Sequence, residues 1–229
     1  MITFSQLIFD TLELLKGYKI PDDVDITEPL VMFHLNTQRA LWIRNEYNKP
    51  GRSIDPEVEQ DLGCLELEEV DSADCCNIET ECYALRTKKK IPSLIELHDK
   101  TGITRVGLPD KLSLPFTYTS YNKVIYSLHN KYAKNQVYAF LLNGYMYIIT
   151  NNLQYKLIDY INVRGIFENP MDLAEFKCGE NSCFSLEDNY PIKSWMIPYI
   201  RAEVVKALSG GLAIPKDSSN DANDKITEK

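Results

Sequence analysis

Histidine is scarce in this chain, with three in 229 residues, His34, His98 and His129. None lies in an H-E-x-x-H arrangement or beside a nucleophile signature, so each is read as structural. There is no G-x-x-x-x-G-K-[ST] loop and no G-x-G-x-x-G turn, which leaves nucleotide chemistry without a phosphate cradle. No apolar run approaches the roughly 18 residues of a membrane span, and the first segment carries Asp10, Glu13 and Lys16, unlike a signal peptide. The chain therefore reads as soluble, made in the cytoplasm and without a membrane partner. Paired cysteine spacing is missing too: Cys64, Cys75, Cys76, Cys82, Cys178 and Cys183 contain no C-x-x-C. The expectation is reduced, mostly buried thiols with no metal and no cofactor; a zinc site drawing on the cysteines and His98, or disulfides, are the alternatives. Acidic neighbours Asp74, Glu79 and Glu81 would raise the thiol pKa of Cys75 and Cys76, which argues against a reactive pair.

Positive charge is also in short supply. Twenty-five Lys and Arg face 33 Asp and Glu, a formal charge of −8. That balance argues against a binder whose affinity comes from neutralising phosphates and is compatible with a passage through which DNA slides without sticking. Paired carboxylates could in principle hydrolyse a glycosidic bond, but with this many acids abundance identifies no pair. A length of 229 residues, 44% of them hydrophobic, is enough to bury a sizeable core.

Phe4, Leu7, Ile8, Leu12 and Leu15 recur at three- and four-residue spacings, predicting a helix over Thr3 to Leu15 that Gly17 ends. A second helix is predicted from a Thr27 cap, with Pro29 in its first turn, to about Tyr47, where Asn48-Lys49-Pro50-Gly51 stops it. Its apolar positions Leu30, Val31, Phe33, Leu35, Ala40, Leu41, Trp42 and Ile43 exceed one stripe, so it should meet two neighbours, one of them another subunit. Arg39, Arg44 and Glu46 are placed on its remaining face, which on the plainer reading is simply solvated. Leu65-Glu66-Leu67-Glu68 alternates with period two within a half-buried strand from Leu62 to Val70, and Asp71 to Glu81 reads as an acidic loop.

A strand over Ile103 to Val106, a Pro109-Asp110 turn and a short helix over Ser120 to Lys131 follow. The clearest local signal is a hairpin, Val137 to Leu142 and Tyr145 to Thr150 around Asn143-Gly144, with Lys156 to Val163 expected as the third strand of a meander. A short helix over Met171 to Phe176 and a last helix over Ser194 to Leu208, closed by Gly210-Gly211, complete the chain. Beyond Pro215 the composition is one of disorder, so an ordered tail would need a partner. The expected class is α+β: N- and C-terminal helices packed as a helical part, with a central antiparallel β-meander. The expected divisions are 1–56, 57–176, 177–210 and a tail over 211–229.

Three stretches, QRALWIRNEYNKPGRSIDP over 38–56, QDLGCLEL over 60–67 and GIFENP over 165–170, resemble the virion neck proteins of large tailed bacteriophages, particularly the crAss-like group. The resemblance implies a structural head-to-tail connector, a twelve-membered ring beneath the portal protein. It further implies a tail or second neck ring protein below, and genomic DNA passing through without sequence-specific binding. Such a protein would stand in the virion neck and would not be an enzyme. On that reading Arg39, Trp42, Arg44, Tyr47 and Arg52 are candidates for a lateral or portal contact, and Trp195, Tyr199 and the tail for anchoring against another ring. Core packing is the plainer reading of both tryptophans.

Overall fold

The structure is a computed structural model that describes residues 2–17, 26–71, 83–98, 101–110, 112–128, 136–150, 157–178 and 181–211. The expected acidic loop, His129 and the polar tail fall almost wholly outside these residues.

Four helices form where periodicity places them, α1 (Phe4–Lys16), α2 (Glu28–Tyr47), α3 (Tyr121–Leu128) and α4 (Ile197–Gly211). Thr3 caps α1 by accepting from the Gln6 backbone N–H, whereas Thr27 stands at the α2 cap without a side-chain bond, leaving Pro29 to set the first turn. α1, α2 and α4 pack on one another around Phe4, Leu7, Leu35, Ile200 and Val204. The two ends of the chain thus make one helical layer, as expected.

Nine strands are described: β1 (Gln60–Asp71), β2 (Tyr83–Thr87), β3 (Ile103–Gly107), β4 (Thr117–Tyr118), β5 (Val137–Leu142), β6 (Tyr145–Thr150), β7 (Tyr160–Gly165), β8 (Lys177–Cys178) and β9 (Asn181–Ser182). The first seven form a sheet of order β3-β7-β1-β2-β6-β5-β4, antiparallel except between β4 and β5. The sheet rolls up until its two outer strands meet, where the Phe116 N–H donates to the Val106 carbonyl at 2.7 Å. The β5–β6 hairpin turns on Asn143 and Gly144 at φ of 53° and 83°, the type I′ geometry that Asn-Gly predicts.

The expected third meander strand forms as β7, but it inserts between β1 and β3, and β6 pairs with β2 instead. Ile161, Asn162 and Val163 are all buried, and a strand buried on both faces belongs in a sheet's middle rather than at a hairpin's edge. β2 was not legible at all in the sequence. The segment expected as a helix over Met171 to Phe176 is a 3-10 helix, Pro170–Glu175, capped by the Asn169 side chain.

β1 carries a bulge: Leu62 opposes Val163 while Leu65 opposes Ile161, so one extra residue lies on β1, with Cys64 at φ 54°. Leu62 and Leu65 are three apart and would face opposite sides of a regular strand. The extra residue returns both to the core. Cys64 is disulfide-bonded, which corrects the expectation of six reduced thiols. Pairing depends on Cα separations that spacing along the chain does not encode. Cys183 is free and half-buried, its thiol pKa pushed up by burial.

Candidate interaction surface

α2 is built on a buried stripe of Val31, Leu35, Arg39, Ile43, Glu46 and Tyr47. Two of these correct the expected polar face: Arg39 and Glu46 lie inside, and of the three residues assigned to that face only Arg44 is exposed. Burial is tolerated because each finds partners. The Arg39 guanidinium donates from Nε to the Pro191 carbonyl at 2.8 Å and from Nη1 to the Phe167 carbonyl at 2.7 Å, and lies over the Tyr190 ring at 5.8 Å. Burial pulls its pKa down to about 10, so it stays cationic at neutral pH. One turn earlier Asn36 accepts from the Tyr190 hydroxyl and donates to Asn169, 2.9 Å each. α2 is thereby bonded to two remote segments, the GIFENP stretch and the lead-in to α4. Two of the three signature stretches are one structural joint.

At the C-terminal end of α2 the Glu46 carboxylate pairs with Lys49 and, at 3.2 Å, with Arg52 Nη2. Tyr47 is buried and donates to Asp55 Oδ2 at 2.9 Å, and Lys193 bonds the same oxygen at 2.7 Å. Lys193, then Tyr47, hold the Asp55 carboxyl below its usual range, and burial raises the Tyr47 hydroxyl. Among the expected contact residues, Arg39 and Tyr47 therefore act inside the fold, and Arg52 braces the turn from its surface.

Trp42, Trp195 and Tyr199 come together as one aromatic platform. Trp42 stacks on Tyr199 with centroids 5.3 Å apart, and Trp195 meets Tyr199 edge-on at 6.4 Å. Trp195 and Tyr199 remain 48% and 54% exposed, whereas Trp42 is half-buried against the main core, so the plainer reading of core packing holds in part for Trp42 and not for Trp195.

The opposite side of α2 carries Leu30, Phe33 and Leu41, all exposed, with Phe33 65% open to solvent. Phe33 and Leu41 border an open groove of about 1070 Å³ between α2 and the segment 93–97, also lined by Arg44, Leu94, Leu97 and Tyr118. The sequence signal for this face was the excess of apolar positions on α2. Which of them would be buried was not readable, because Arg39 takes a core position that hydrophobicity assigns to a neighbour. Among the described residues no group of three His, Cys, Asp or Glu side chains is placed to hold a metal ion. None of the described helices is long and apolar enough to cross a membrane.

A helical layer on a rolled sheet, with apolar surface left open on two sides, is an architecture that leaves faces free for contact with other chains. The model of the phage tail ring protein 2 family matches residues 6–226, and the chain belongs to that family. It is similar to "Ring protein 2" of Bacteroides phage crAss001, 29% identical over 231 residues that cover 99% of each protein. The resemblance read from the three signature stretches is borne out. The protein is a structural component of a phage virion, of a kind that assembles into a ring.

Proposed function

We propose that copies of this protein form a ring, twelve-membered, in the virion neck, joining the capsid portal to the tail and lining the passage for the genome. The observation that carries this reading is the two-sidedness of α2. One face is bonded into the core through Arg39, and the other leaves Leu30, Phe33 and Leu41 open, the last two beside a groove. Burying a side chain of this size is worth about 1.5–3 kcal/mol, an incentive for association that a monomer leaves unused. The groove side with Arg44 serves the ring-wise contact. The Trp42–Trp195–Tyr199 platform faces an axial neighbour, the portal or a second ring, with the tail 211–229 reaching the same partner. The −8 charge keeps the lumen from retaining DNA.

Electron microscopy and native mass spectrometry of the purified full chain, with and without its portal, test the proposal. Rings of twelve that stack coaxially on the portal are expected. A protein that stays monomeric at every concentration in both samples would remove the proposal, and Phe33→Asp should dissolve rings while leaving the monomer folded.

A further inference from the structure

Leu112 and Leu114, in the loop between β3 and β4, are 95% and 86% exposed, more than any other large apolar side chain among the described residues. The loop is nevertheless well braced. Arg105 Nη2, on β3, donates to the Asp110 carbonyl at 3.2 Å and to the Ser113 carbonyl at 3.0 Å. The Asp110 side chain accepts from the Leu112 N–H at 3.0 Å, and the Ser113 hydroxyl donates back to the Asp110 carbonyl at 2.8 Å. Residues 112–114, tied to Arg105 and Asp110 with two leucines turned to water, form a braced knob that pays little ordering cost when a partner arrives.

A closed ring of identical copies requires a head-to-tail contact, which needs two different and complementary patches on each copy. The groove beside α2 reaches Thr101 and Gly102, just before the start of β3, whereas the knob follows its end. Five residues of strand separate them, about 16 Å. One apolar protrusion and one apolar recess thus lie at opposite ends of a single rigid element, the arrangement a rotational repeat uses.

We infer that the Leu112–Leu114 knob of each copy seats in the neighbouring copy's groove against Phe33, Leu41 and Leu97, and that this is the lateral contact of the ring. The inference rests on the ring reading above and names the surfaces that make it.

The test uses the full chain. Leu41→Cys/Leu114→Cys, with each single variant as control, should give on mild oxidation a covalent ladder up to the full ring, and the single variants should give none. Leu112→Asp/Leu114→Asp should lower the assembled fraction at least tenfold while the dilute monomer keeps its melting temperature, because neither leucine packs in the monomer. A ring that survives the double aspartate variant, or a double cysteine ring that yields no ladder, overturns this contact and leaves ring formation standing. Leucine variants that keep the ring but lose the portal also overturn it, assigning the knob to an axial partner. An unaltered chain that never assembles removes ring formation and this contact together.

Discussion

Arg39 illustrates how a charged side chain can be a core residue. It is fully buried, and its hydrogen bonds end on backbone carbonyls of two segments more than 125 positions downstream. Hydrogen bonds from a charged donor contribute about 1.5–3 kcal/mol each, so Arg39→Ala, which also orphans both carbonyls, should cost about 3–5 kcal/mol in urea unfolding followed by Trp fluorescence. Arg39→Lys keeps the charge but loses the planar fork and should recover only part of that loss. Equal stability of all three proteins would refute the role.

The pairing of Asp55 with Lys193 and Tyr47 carries a pH dependence. Its pKa is lowered from 3.8, so the stabilisation is complete above that value and is lost as pH falls through the depressed pKa. The urea midpoints of the unaltered chain and Asp55→Asn should therefore differ at pH 6 and converge in strong acid; a constant gap would be inconsistent with the linkage. None of this was readable from residue types, since an arginine on a helix and an aspartate before a proline look like ordinary surface until the remote partners are in place.

Elements were legible where their cause is local. The Asn143-Gly144 hairpin and the stripe of α1 depend on neighbours within a few residues and stand close to their expected bounds, whereas α4 starts three residues later than expected and runs through Gly210-Gly211 instead of ending before them. The order of strands was not legible, because insertion of β7 between β1 and β3 is decided by pairing across 100 positions. The bulge in β1 hid a parity change that no alternating pattern announces.

Gly165, which closes β7 and opens the GIFENP stretch, shows the same dependence on distant chain. A Cβ there would lie 2.7 Å from the Gly102 carbonyl oxygen, so the backbones of β7 and the β3 lead-in touch. Gly165→Ala should destabilise the protein by about 1–3 kcal/mol, read as a lower melting temperature, because a backbone carbonyl rather than a flexible side chain must give way. No loss would mean the two segments can separate freely.

At the scale of the whole molecule, composition excluded more than it identified. An excess of eight negative charges over 229 residues gave no surface, but it does set an expectation for the assembled particle. Rings mixed with duplex DNA should show no retention in a gel-shift experiment between about 50 and 200 mM salt, where a phosphate-neutralising protein would show strong, salt-sensitive binding. Salt-dependent retention would argue against a lumen lined by this chain. The candidate surface was half visible: Trp42, Trp195 and Tyr199 were singled out and do meet. The groove and knob could not be found before strands β3 and β4 were known to be the sheet's two outer members.

That meeting of outer strands at Val106 and Phe116 has a consequence for growth. Where these strands meet, backbone groups that a flat sheet would offer to a passing chain face each other instead, which removes part of the template for adding strand after strand, the route to fibres. Under the proposed lateral contact, the bearing of the projection to the hollow on each copy would then set how many subunits close a circle.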